Sequence, residues 1–208
     1  MLCGDWRAVQ ECAQAIDARA TAQGFRFFQG QAMLHMGRAL AAEGQTAPGL
    51  AQMRRGLAVT EATGGIRYMV LTLSLLAEAY ALDGQAEAGL EVLAAALDLV
   101  NTRGMHLWAA EVHRLRGELL LAQHDLGQTP PVTRVEEAAA CFEQALALAH
   151  HRQARAWELR AATSLARLWQ QQGRFEAARA VLAPVYSWFT EGFDTADLKQ
   201  AKALLDEL

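Results

Sequence analysis

The 208-residue sequence predicts an all-α protein, a right-handed solenoid of antiparallel helix hairpins, on three observations. The first is composition. Roughly a fifth of the residues are Ala and about a seventh are Leu, whereas Ile16 and Ile66 are the only isoleucines. Ala and Leu favour helix, and strands draw on the β-branched and aromatic residues that are scarce here. The second is an interval: Gly4, Gly24, Gly44, Gly64, Gly84 and Gly104 recur every 20 residues. The third is apolar spacing at i, i+3 and i+4 between those glycines, the periodicity of a helix with one buried face.

Each glycine in the series marks a helix stop, because Gly adopts the left-handed cap conformation without a Cβ penalty. Helices are then expected over 45–63, 66–83 and 86–103, and two of them make a unit of 40 residues. In chain order this gives a lone helix over 5–22 and repeats over 26–63, 66–103, 107–151 and 155–190. A terminal helix follows over 194–207, with Asp194 as its N-cap. The third repeat carries an insertion, HDLGQTPPVTR, over 124–134. Pro130 and Pro131 cannot continue a helix, and Thr133 followed by Glu136 forms a capping box that restarts one. With the insertion removed, Ala138 and Ala145 match Gly49 and Gly56, and Gly173 matches Gly84.

Small residues obey the same period. Gly37, Ala77 and Gly117 lie 40 apart on the first helix of each unit. Twelve residues after the first two come Gly49 and Gly89, and seven further on Gly56 and Ala96. Ala166 and Ala178 keep the interval of twelve in the last unit. This is the arrangement of the tetratricopeptide repeat, here with an extra turn per helix. Tyr80 and Trp169 fill its aromatic position, from which Leu40 and Leu120 depart. Met53, Leu93, Phe142 and Leu182 supply the large apolar residue of the second helix.

The sequence also excludes several chemistries. A net charge of −4, with Lys199 and Lys202 the only lysines, offers no basic field for nucleic acid or an anionic membrane. The longest apolar stretch, about 68–82, contains Glu78 and is shorter than the ~20 residues of a membrane span. Cys3, Cys12 and Cys141 form no C-x-x-C pair and fit a reducing cytoplasm; Cys141 reads as a small buried hydrophobe. No phosphate-binding G-x-x-x-x-G-K-[ST] and no H-E-x-x-H occurs. No nucleophile is paired with a base, and His150 and His151 read as favourably placed toward the dipole of a helix C-terminus. The expectation is therefore no catalytic residue, no metal and no cofactor.

Binding remains. The usual inward positions of the first helices are Gln31, Leu34 and Arg38, then Leu71, Ser74 and Glu78. In the later repeats they are Glu111, Arg114 and Glu118, then Arg160, Thr163 and Arg167. Their mixed charge suits a protein or peptide, including another domain of the same polypeptide, and lacks the continuous basic track RNA requires. A second feature is an aromatic ladder, Phe28, Tyr68, Trp108 and Trp157, near the start of successive first helices. It reads either as packing for the lengthened helices or as a stacking platform for a small effector. Trp188, Phe189 and Phe193 are expected to dock the last helix. The chain shows no N-terminal capping repeat, so an exposed apolar end and self-association are expected.

Three segments carry a more specific likeness: HRLRGELLL (113–121), ELRAATSLARLWQQQGR (158–174) and VLAPVYSWFTEGFDTADLKQAKALLDEL (181–208). They resemble the C-terminal tetratricopeptide region of bacterial multidomain signalling proteins, which combine a class III cyclase-type domain with an AAA/STAND-type ATPase domain. The resemblance implies a longer parent protein that ends near Leu208, and with the cysteine usage the expected location is the cytoplasm. It carries no catalytic residue onto this chain, and the expected role is a non-enzymatic interaction solenoid that scaffolds or regulates its parent.

Overall fold

The computed structural model describes residues 5–122 and 131–208, and every regular element among them is helical. The α-helices are α1 Trp6–Gln23, α2 Arg26–Ala42, α3 Thr46–Ala62, α4 Met69–Leu82 and α5 Ala86–Arg103. They continue as α6 Ala109–Ala122, α7 Val132–His151, α8 Arg155–Gln171, α9 Phe175–Tyr186 and α10 Ala196–Glu207. Short 3-10 turns, Ile66–Tyr68 and His106–Trp108, precede α4 and α6. Contacts group the chain into two compact units, an N-terminal one over Asp5–Trp108 and a C-terminal one over Ala109–Leu208.

The periodic glycines end the helices as their spacing requires. Gly24, Gly44, Gly64, Gly84, Gly104 and Gly173 all have φ between 65° and 86°. The turn they permit lets the next amide reach back over the helix end. Gln45 N–H donates to the Leu40 carbonyl at 2.9 Å, and Gln85 N–H to Tyr80 at 2.9 Å. Arg174 N–H reaches Trp169 at 2.8 Å in the same way. Gly4 and most of the 124–134 insertion lie outside the described residues.

Two predicted helix starts need correction. α7 begins at Val132 with Pro131 at the N-cap and no side-chain cap, so Thr133 lies inside the first turn. Proline's fixed φ, here −53°, pre-sets the entry to the helix before the capping box can form. α10 begins at Ala196 with Thr195, not Asp194, at its N-cap. The Thr195 hydroxyl donates back to the Gly192 carbonyl at 2.7 Å and holds that turn.

Packing in the N-terminal unit is set where α2 meets α3. A Cβ built on Gly37 would meet the Gly49 carbonyl oxygen at 2.6 Å, and one on Gly49 would meet that of Gly37 at 2.6 Å. Seven residues away in opposite directions, a Cβ on Gly56 would lie 2.6 Å from the Gly30 oxygen. Two reciprocal contacts, one moving up α2 as the other moves down α3, are the geometry of an antiparallel pair in backbone contact. The core beside it joins Leu34, Ala41, Leu50 and Met53 to Leu75, Leu76, Ala79 and Tyr80. The Tyr80 hydroxyl is not stranded there, since Arg54 Nη2 donates to it at 2.7 Å.

In the C-terminal unit the matching position, Gly117, makes room for a ring: an added Cβ would lie 2.5 Å from Phe142, which is buried. α10 packs on both α8 and α9, occupying the place of a further first helix. Leu198, Ala201 and Leu204 of α10 close the core formed by Leu159, Ala162, Ala166, Ala178 and Leu182. Of the three aromatics expected to dock this helix, only Phe189 joins that core. Trp188 and Phe193 are about half exposed.

One cap departs from the glycine rule. Gln153, at the end of α7, has φ of 54°. An L side chain pays a steric cost of about 1–2 kcal/mol in this region, against the smaller entropy loss of Gly. Gln153→Gly is expected to raise stability by about 0.5–1 kcal/mol, read as an increase in the denaturation midpoint; an unchanged or lower midpoint would contradict the assignment.

Candidate functional site

The inward residues of the N-terminal unit are largely spent on one another. Arg38 on α2 donates to Glu78 Oε2 on α4 through Nη2 at 2.8 Å and Nε at 3.1 Å. The same guanidinium stands 4.9 Å over the ring of Trp6. Gln31 Nε2 donates to Thr60 Oγ1 at 3.3 Å, and that hydroxyl donates to the Gly56 carbonyl at 2.9 Å. Leu34 and Ser74 are not on a binding surface: both are buried, with the Ser74 hydroxyl donating to the Val70 carbonyl. A first helix is flanked by neighbours on several sides, so part of its nominal inner row becomes core.

The C-terminal unit gathers the remaining charged candidates into one network. Glu111 on α6 is almost wholly buried, with 2% of its side chain exposed. Arg114 holds it by a two-armed interaction, Nη2 to Oε1 at 2.8 Å and Nε to Oε2 at 2.9 Å. Arg160 on α8 reaches the same Oε1 at 2.7 Å. Arg114 also donates to Glu118 Oε1 at 3.1 Å, an oxygen that accepts from the Ser164 hydroxyl at 2.6 Å. Arg160 Nε lies 3.9 Å from Asp197 Oδ1 on α10. The buried Glu111 carboxylate thus ties α6 to α8, and Arg160 in turn approaches α10 at Asp197.

Above this network is a basin of two cavities. The first, about 140 Å³, is lined by polar groups of α6, α8 and α10, among them Arg114, Glu118, Arg160 and Arg167. The second, about 310 Å³, adds an apolar wall of Leu121, Phe142 and Leu168. Glu118, Ser164 and Arg167 border both. Arg167 differs from the other arginines of the basin: its guanidinium has no ion-pair partner among the described residues and is exposed. Thr163 also lines the basin. Ser164, Asp197 and Gln200 line it too, outside the inward rows read from the sequence. Asp197 and Gln200 had a usable signal, an i, i+3 polar pair on a helix that takes the place of another repeat.

The aromatic ladder divides. Phe28 lies in the first turn of α2, while Tyr68 closes a 3-10 turn, and each is about half exposed. Phe27 joins them, its ring 5.3 Å from Phe28 and 5.4 Å from Tyr68. Neither Phe28 nor Tyr68 lines the basin. Trp108 ends the second 3-10 turn and Trp157 sits in the first turn of α8; both are half-buried.

His150 does more than face a helix end. Its Nδ1 lies 2.8 Å from Oε1 of the buried Glu158, whose Oε2 accepts from Arg155 at 2.6 Å. Burial pushes the imidazoles of His35 and His113 below the ordinary histidine range, and Arg38 and Arg116 respectively act in the same direction. Burial raises the Cys141 thiol, as its place in the core of α7 requires.

Two predictions follow from these charges. Arg114→Met leaves Glu111 buried with one partner fewer and is expected to cost about 3–5 kcal/mol in denaturant unfolding. Glu111→Met combined with Arg114→Met is expected to recover most of that loss; full additivity of the two changes would contradict the pairing. His35 and His113 have folded values below their unfolded ones, so the unfolded chain binds more protons as pH falls through about 6.5. The melting temperature is therefore expected to drop between pH 7 and pH 5. A His35→Phe/His113→Phe variant should show a shallower drop over the same window, and an equal one would exclude these residues as its source.

No family model matches the chain, and no curated protein matches it. Solved structures do. A single-substitution variant of a Podosopora anserina protein assigned as a kinesin light chain, with nearly identical TPR-like repeats, gives a TM-score of 0.57 at 17% identity. That match covers 88% of this chain and 94% of the other. The same protein without the substitution gives 0.54 at 17% identity, over 98% and 96% of the two chains. With its consecutive helix pairs, the chain has an all-α, tetratricopeptide-like repeat fold.

Proposed function

We propose that the chain is a non-catalytic interaction region of a cytoplasmic bacterial signalling protein that also carries cyclase-type and ATPase domains. The tetratricopeptide-like fold supports a protein-interaction role, because stacked hairpins hold rows of side chains on rigid helices. The observation that carries the reading is the basin of α6, α8 and α10. Its arginines 114, 160 and 167 are balanced by Glu111, Glu118 and Asp197, so it attracts no polyanion as a whole. Within that balance, Arg167, without an ion-pair partner among the described residues, and the hydroxyl of Ser164 stand beside an apolar wall. Such a combination selects a protein surface offering both a carboxylate and an apolar side chain. The partner we favour is another domain of the same polypeptide. In the N-terminal unit, the paired Arg38 and Glu78, with Gln31, are a separate polar row.

A second reading has one observation in its favour. The cavity of about 310 Å³, half apolar in its walls, has the size of a small-molecule site, so the basin would take an effector instead.

Quantitative cross-linking of the chain to the upstream domains of its parent protein separates the two. Arg167→Glu is expected to lower capture about tenfold and Arg38→Glu to lower it less. Capture unchanged by both variants would remove the basin and the Arg38 row from the interaction.

A further inference from the structure

A separate edge of the N-terminal unit has a composition that the basin does not share. The turns over 21–29, 62–69 and 101–108 contain no Asp, Glu or Lys, in a chain whose net charge is −4. They carry Arg26, Arg67 and Arg103, all exposed, whose guanidinium groups make no ion pair or hydrogen bond among the described residues. Beside them Phe25, Phe28, Ile66 and Tyr68 are each 44–53% exposed, and Leu107 is 72% exposed.

These turns form one surface for a structural reason. Phe27 of the first turn packs against Tyr68 of the second, and a Cβ on Gly65 would strike the Phe27 ring at 2.7 Å. α5 returns antiparallel to α4, so Arg103 and Leu107 come back to the edge from which α4 departs. Loop residues of this size would not be left open to water by core packing alone.

We propose that this edge docks an acidic segment of a partner protein, with its carboxylates against Arg26, Arg67 and Arg103 and its apolar side chains on the aromatic cluster. Aromatic residues and Arg without Lys, Asp or Glu is the composition of the centre of a protein interface. The rings pack edge to face on one another, Phe27 on Phe28 at 77° and Phe25 on Phe28 at 64°. Their faces are thus partly covered, which disfavours stacking by nucleic-acid bases. Three cations on turns, without an amphipathic helix lying along the edge, fall short of stable anchoring to a bilayer.

The test uses the whole 208-residue chain and fluorescence anisotropy with a labelled random Glu–Tyr copolymer. Poly-glutamate, phosphatidylserine-containing vesicles and oligouridylate serve as the other arms. The copolymer should bind more tightly than poly-glutamate, and added salt should weaken it. The triple variant R26E/R67E/R103E should lose at least tenfold in affinity, and Phe28→Ser several-fold. Should the triple variant melt early, Arg67→Glu alone carries the comparison. Arg55→Glu, at an exposed arginine of α3 outside these turns, should leave copolymer binding unchanged, which separates this edge from the general charge of the chain. No copolymer binding, equal binding by wild type and the reversed variants, or tighter binding to vesicles or oligouridylate would overturn the proposal.

Discussion

Backbone contact between α2 and α3 is the constraint on which the N-terminal unit depends. At Gly37 and Gly49, and again at Gly30 and Gly56, each helix presents a carbonyl oxygen where the other would carry a Cβ. Four positions without side chains set the register of the pair as firmly as any large residue, because a slip along the axis puts a side chain against main chain. With the register set, Leu34 and Met53 enter the core, and Arg38 is carried to the height of Glu78 on the next first helix. The interaction that links neighbouring hairpins is a consequence of contacts within one of them.

The C-terminal unit meets the same requirement by different means. Gly117 faces the Phe142 ring, and alanines occupy the other close positions. What distinguishes this unit is its buried charge. Glu111 would be costly alone in the interior, and the approach of Arg114 and Arg160 offsets that cost through short, multiply bonded contacts. Such a network contributes more to positioning than to net stability. It holds α6, α8 and α10 so that Ser164, Arg167 and Gln200 face one basin.

The two surfaces differ in a way that matters for recognition. In the basin, charge is largely compensated internally, and Arg167, beside an apolar wall, has no ion-pair partner among the described residues. At the edge of the N-terminal unit Arg26, Arg67 and Arg103 have no ion-pair partner among the described residues, and the aromatic residues stand out from the turns. A basin selects by shape and by individual hydrogen bonds, whereas an uncompensated edge attracts acidic surfaces over a longer range.

Much of the architecture was legible in the amino-acid sequence, since it rests on local rules. Gly at intervals of 20 fits only a backbone that needs a positive φ there, and the alternation of small and large residues follows helix geometry. Glu111, Arg114, Arg160 and Arg167 could be placed on helix faces by counting turns. The helix starts were less legible: the Pro131 backbone pre-empts the Thr133 capping box, and no pattern of side chains records that competition. Which polar residues meet was not legible at all. Ser164 donating to Glu118, Asp197 approaching Arg160, and Phe27 joining Phe28 to Tyr68 all depend on distances between helices far apart in the chain. Local periodicity determines which face a residue occupies; only tertiary packing decides what it faces, because that depends on how closely each pair of helices can approach.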